Sequence, residues 1–234
     1  LEKIKKMSVE KAIIVGAGHG LSASLARLLS KSGFDLVLAS RNVEKNYNLA
    51  KETNANLEEC DVTSIQQVEN LFKKADDILG TPDLVIFNPS ARLRGTVEEL
   101  DMRAAKKAIE VSTIGALSVA KEAATRMLPR GSGSIFFTGA SASVKGFANS
   151  SVFAVGKFGL RGLAQSLARE LHPKNIHIGH FIVDGQISSP FDTNNELDSK
   201  LISDEIANAY LQMHRQHRSA WSWEIELRPW IERF

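Results

Sequence analysis

The chain has 234 residues, 43% of them hydrophobic and 24% charged, which suits one α/β domain or two small ones in an ordinary globular protein. A formal net charge of +2 gives no sign of a nucleic-acid surface, and no apolar run reaches the length of a membrane span. Cys60 is the only cysteine, which excludes an intrachain disulfide and fits a reducing cytoplasm.

Residues 1–8 read as a disordered leader and 9–234 as a single domain. The first element is the apolar run Ile13-Ile14-Val15, which ends in the alternating glycines Gly16, Gly18 and Gly20. A helix then opens with apolar positions at Leu21, Leu25, Leu28 and Leu29. Its free N–H groups and positive dipole end would face whatever lies over the turn, and that suits a phosphate. Phe34 to Ala39 reads as a second buried strand, and Asn42 caps a helix through about Lys51. Leu57 to Thr63 reads as a short third strand and turn, followed by a helix capped by Ser64. Gly80-Thr81-Pro82 breaks that helix ahead of a fourth strand, Asp83 to Phe87.

One long helix is predicted from about Met102 to Met127, then a fifth strand at Ser134–Thr138. Another long helix runs from about Ser151 to Leu171, and Ile176 to Val183 makes a sixth strand. The tail from Asn194 to His217 reads as helical, and Trp223 to Leu227 as a seventh, edge strand, with Trp221, Trp223 and Trp230 as packing residues. Alternating strands and helices with nearly continuous apolar strands imply a doubly wound parallel sheet, a Rossmann fold with helices on both faces. Ligands of such a sheet lie beyond the carboxyl ends of its strands.

Several stretches together resemble the short-chain dehydrogenase/reductase family over about residues 9–228. Gly16-Ala17-Gly18-His19-Gly20-Leu21 looks like its dinucleotide turn, with Ser22 in place of the last glycine. Asp61-Val62 resembles the pair that contacts the adenine ring, and Phe87-Asn88-Pro89-Ser90 stands for Asn-Asn-Ala-Gly. Phe153-Ala154-Val155-Gly156-Lys157 stands where Tyr-x-x-x-Lys would be, so the resemblance implies an atypical member with Phe at the catalytic Tyr position. Asp184-Gly185-Gln186-Ile187-Ser188-Ser189 replaces the loop that closes on nicotinamide, through Gly185, Ile187 and Ser189. At the end of the second strand, Ser40 is neutral and Arg41 cationic, which matches the 2′-phosphate of NADP(H) better than the free hydroxyl of NAD(H). His19 adds a further donor.

The resemblance implies hydride transfer to or from a carbonyl or alcohol, with Lys157 on the ribose. Phe153 has no hydroxyl to donate, and Ser112 replaces the family's Asn. The family's serine falls near Ser141 or Ser143, either of which could polarise a carbonyl. Tyr210, folding over the site, and Asp184 are the candidate proton donors. No Cys/His cluster suggests a metal. Ala91–Gly95, Ser143–Phe147 and Gln186–Tyr210 (segment 186–220) would shape the substrate pocket, with Arg92, Arg94 and Lys145 nearby. The two long helices call for a second partner, as in the family's homodimers or homotetramers. A rival reading is a catalytically silent dinucleotide-binding sensor or scaffold.

Overall fold

Residues 12–15, 36–39, 84–87 and 135–137 are unbroken apolar runs within strands, because both faces of the sheet are covered by helices. The computed structural model describes residues 9–188 and 199–232. The reading of residues 1–8, of Ser189 and of 194–198 lies outside these, and of the helix expected over 194–217 the described residues are helical only at Ser203–His214. The strands are β1 (Glu10–Val15), β2 (Phe34–Ser40), β3 (Asn56–Glu59), β4 (Leu84–Phe87), β5 (Gly133–Thr138), β6 (Ile176–Val183) and β7 (Glu224–Leu227). They form one all-parallel sheet in the order β3-β2-β1-β4-β5-β6-β7. Strand order reverses between β1 and β4, so the carboxyl ends of these two strands diverge into a crevice.

Helices α1 (Leu21–Lys31), α2 (Tyr47–Thr53) and α7 (Ser203–His214) supply one face. Their core includes Leu25, Leu29, Leu49, Ile206 and Tyr210, packed on Leu36, Leu38, Phe136 and Phe181. Helices α3 (Ile65–Ile78), α4 (Met102–Ser112), α5 (Ile114–Arg130) and α6 (Ser151–Leu171) cover the other. There Phe72, Val119, Met127 and Leu160 pack on Val37, Val85, Phe137 and Ile178. Ser64 caps α3 by accepting from the Gln67 backbone N–H. The cap at Asn42 serves a short 3-10 turn at Glu44–Asn46 instead, and α2 starts only at Tyr47.

The single helix predicted from Met102 to Met127 is two. At Thr113 the backbone leaves the helical path (φ −109°, ψ −73°), while its hydroxyl donates to the Ile109 carbonyl at 2.8 Å. Such back-bonding bends helices. The bend brings Gly115 against Val62, where a Cβ would stand 2.8 Å from Val62 Cγ2.

In the tail, Trp221 stacks on His177 with ring centroids 4.5 Å apart, and Trp223 packs on the sheet. Trp230 does not pack: it is 81% exposed. No helix among the described residues is long and apolar enough to cross a membrane.

Candidate active site

The glycine turn sits where β1 ends. Gly16 has φ +86°, and a Cβ there would lie 2.7 Å from the Pro89 nitrogen, so only glycine lets the β4 loop close onto the turn. Gly18 and Gly20 border open space, and Gly20 caps the N-terminus of α1. Ser22, in place of the family's last glycine, locks this corner. Its hydroxyl donates to the Gly16 carbonyl at 2.9 Å and accepts from Asn88 Nδ2 at 2.6 Å. Asn88 is thus held by the turn it faces.

A cavity of about 440 Å³ opens over the turn, between Gly16–His19, the β2 end at Ser40 and Arg41, and Asp61–Val62. Asn88, Pro89 and Ser90 close its inner end. Burial pushes the Asp61 carboxyl up, but Thr63 donates to it twice, and together with Arg41 and Lys107 this holds it below its ordinary value. The Ser40 hydroxyl donates to the Asn42 carbonyl and accepts from Asn46 Nδ2, both at 3.0 Å. No carboxylate stands at the end of β2, whereas His19, Arg41 and Lys45 all line the cavity. Lys45 and Asn46 were not singled out from the sequence. Lys45, four residues after Arg41 at the start of the next helical turn, was the available signal.

A dinucleotide fits these residues. The open floor at Gly18 and Gly20 meets the α1 N-terminus, and the buried Asn46 Oδ1 in the cavity wall has no partner. An orphaned acceptor of this kind suits a ribose hydroxyl or an adenine amine.

Past Asn88 and Ser90 a second, larger space of about 1,040 Å³ opens over the ends of β5 and β6. Phe153 and Lys157, one turn apart on α6, share a face and both line it. Lys157 Nζ donates to the Thr138 carbonyl at 2.7 Å and lies 5.9 Å from the Phe153 ring centre. Burial, aided by the Arg92 charge, pushes the Lys157 ammonium down to about 7. The Arg92 guanidinium stands over the other side of the site, 4.5 Å from the Phe153 centroid. Ser141 and Asp184 line the same space, as do Leu21, Gly185 and Ile187.

Three predicted site residues lie elsewhere. Tyr210 is 0% exposed on the α7 face of the sheet, stacked on Phe181 at 3.5 Å and hydrogen-bonded to Thr138 Oγ1 at 2.8 Å. Burial raises its phenol well above the usual range, so it is a core residue that does not cover the site. Ser143 is also fully buried. Its Oγ accepts from the Ala140 N–H at 3.1 Å and lies 3.5 Å from His180 Nε2. Burial pushes His180 down to about 4, so the neutral ring donates from Nδ1 to Glu224 at 2.9 Å. Glu224 in turn holds Arg161 through two bonds of 2.7 and 2.8 Å. Ser143 belongs to this buried chain, and Ser141 is the serine the pocket presents. Ser112 is buried where α4 crosses α6, beside Gly156, whose Cβ would come 3.1 Å from Ser112 Cβ.

Asp184 is in place, but its Oδ2 accepts from both Lys145 at 3.0 Å and Arg228 at 2.9 Å. To hold a proton for the substrate it would first have to give up two ion pairs. His177 lies among Phe136, His172 and Trp221, away from the pocket.

Residues 10–199 match the family described as short chain dehydrogenase. An uncharacterized oxidoreductase of Staphylococcus aureus (strain MRSA252) is 28% identical over 227 residues, 93% of this chain and 96% of that protein. The crystal structure of a short-chain dehydrogenase from Rhodopseudomonas palustris is 33% identical, covers 96% of this chain and 100% of its own, and superposes with a TM-score of 0.83. An alcohol dehydrogenase from the archaeon Thermococcus sibiricus, solved with 5-hydroxy-NADP, shares the fold with a TM-score of 0.85 at 22% identity, over 97% of this chain and 99% of that one.

Proposed function

The chain belongs to the short-chain dehydrogenase family and is an oxidoreductase of that type, and from this premise we propose that it uses NADP(H) on a carbonyl or alcohol. The observation that carries the reading is the adjacency of the glycine-turn cavity and the pocket over Lys157, which share Asn88 and Ser90 as a common wall. When bound, the nicotinamide cofactor supplies or accepts the hydride. Lys157 is the residue we assign to its ribose, and Arg41, with Lys45 and His19, to the 2′-phosphate. The archaeal structure with an NADP derivative supports this cofactor class.

The chain's own groups then have distinct tasks. Ser141 presents a hydroxyl to a substrate carbonyl, and Phe153 shapes the wall without exchanging a proton. Lys157, whose ammonium is pushed down to about 7 by burial and the Arg92 charge, faces the reacting position from the pocket floor. Its bond to Thr138 O fixes the nitrogen at the pocket floor. Without a phenol in place, turnover of simple ketones and aldehydes is expected to be slow, since a positioned acid contributes about 10²–10⁴-fold.

Fluorescence titration with NADPH and NADH tests the cofactor assignment. NADPH is expected to bind more tightly, with most of the difference lost in Arg41→Ala. Equal affinities in the wild type, unmoved by that substitution, would refute it.

A further inference from the structure

The dinucleotide reading uses the glycine turn and Lys157, but it leaves two guanidinium groups in the pocket beyond without an ion-pair partner among the described residues; Glu99, the carboxylate in the adjoining cavity, accepts from Thr96 instead. Arg92 and Arg94 lie on the loop after β4 and line the large space over Lys157. Among the described residues neither forms an ion pair or a side-chain hydrogen bond. Arg92 instead rests against the Phe153 ring, 4.5 Å from its centre. An aromatic face restrains a guanidinium while leaving its N–H fork unused.

The rest of the lining does not balance this charge. Among the described residues, four basic side chains, Arg92, Arg94, Lys145 and Lys157, face two acidic ones, Asp184 and Glu232. Asp184 is already held by Lys145 and Arg228. The buried Lys157 meets only a carbonyl oxygen. An uncharged substrate would leave this excess unanswered, whereas a carboxylate can take two parallel N–H bonds from one guanidinium.

We propose that the substrate is a carbonyl or hydroxy compound bearing a carboxylate, with Arg92 as its anchoring residue and Arg94 as a supporting cation. The inference rests on the oxidoreductase reading, because it takes the reacting carbon to lie beside Lys157 and Phe153. Phe153 then has a positive role: it is the platform that holds the anchor, in the place where other members of the family carry a phenol.

The test is a calorimetric titration of the NADP+-saturated protein with benzoylformate and with its methyl ester. NADP+ has no hydride to give to a ketone, so binding is read without turnover. The acid is expected to bind at least tenfold more tightly than the ester. Arg92→Gln should remove that discrimination, and Arg92→Lys should keep only part of it. Arg103→Gln, on the exposed side of α4 and outside the pocket, should leave it intact. Equal affinities for acid and ester overturn the inference while the cofactor reading stands. So does an Arg92→Gln protein that loses NADP+ affinity and keeps its preference for the acid. The same pair of ligands is titrated without NADP+ as well. Failure of NADP+ to bind, with the acid still preferred, refutes the cofactor assignment and leaves the anion site standing.

Discussion

Lys157→Met is the perturbation that best separates function from stability at this site. Lys157 is only 2% exposed, and its amine has one carbonyl partner and no carboxylate. Lowering an amine from 10.5 to about 7 corresponds to an upper limit of about 5 kcal/mol of native-state cost at and below neutral pH. Methionine keeps an unbranched chain of similar length and removes that cost. It also leaves the Thr138 carbonyl without its donor, a loss of about 1–3 kcal/mol. The net expectation is a gain of about 2 kcal/mol, or about 4–8 °C in Tm for a chain of this size.

The sign of the pH dependence follows from the same shift. Between about 7 and 10.5 the unfolded chain retains a proton that the native state has released, so wild-type stability climbs with pH across that window. The variant lacks this slope, so its advantage is greatest at and below pH 7, is gone about 1.5 pH units higher, and has turned into a deficit by 10.5, where only the lost Thr138 bond remains. Urea unfolding at several pH values measures both proteins, alongside NADPH affinity, which should fall in the variant. A Lys157→Met protein no more stable at pH 7, or one whose advantage is independent of pH, would refute the account of a buried, cation-crowded amine.

Phe153→Tyr adds a phenol one turn from Lys157 and should raise turnover of simple ketones at least about tenfold, a fraction of the roughly 10²–10⁴-fold that a fully positioned acid contributes. A variant that folds and binds NADPH normally yet gains nothing would place residue 153 away from the reacting carbonyl. Burial holds His177 and His180 at about 4, so the unfolded chain takes up protons below 6.5 that the native state refuses. Stability should therefore drop by up to about 4 kcal/mol between pH 7 and 5; urea midpoints that coincide at these two pH values would show the rings are not held neutral. Finally, Ile114, Leu117, Val155 and Phe158 project from α5 and α6 at 46–54% exposure, and we expect them to bury against a second copy. Sedimentation equilibrium at micromolar concentration should show a dimer or tetramer, and a lone monomer would contradict this.

The parallel architecture was legible because each strand is a short apolar run and each helix an apolar stripe, and the bounds of α6 and β6 could be read directly. Other features depended on partners distant in the chain. The small residues from Met102 to Met127 keep a helical period straight across Thr113, and only the approach of Val62 to Gly115 reveals the break. Tyr210 carried a usable signal: Ile206, Ala207, Tyr210 and Met213 recur at helical spacing, the pattern of a buried face. Ser141 and Ser143 are indistinguishable as letters, because a single turn of 3-10 helix decides which hydroxyl meets the pocket and which meets His180. The glycine turn and Lys157 could be located from local pattern alone. The pairing of Arg92 with Phe153 joins residues sixty-one apart in the chain, beyond the reach of any local reading.

The position of β7 has a consequence for how the chain is made. Every residue of β6 is buried in the finished protein, and β7 supplies the last of its neighbours. Synthesis runs from the amino end, so β6 leaves the ribosome with one hydrogen-bonding side open, and that side stays open until Glu224–Leu227 has followed. During that interval the stretch Ile176–Val183 is a bare, apolar sheet edge of the sort that pairs with strangers. Glu224 ends it on arrival, closing the edge and giving Arg161 and His180 their shared carboxylate in one step. A nascent chain stalled short of residue 224 would keep its glycine turn and Lys157 but remain open to aggregation at its unfinished side.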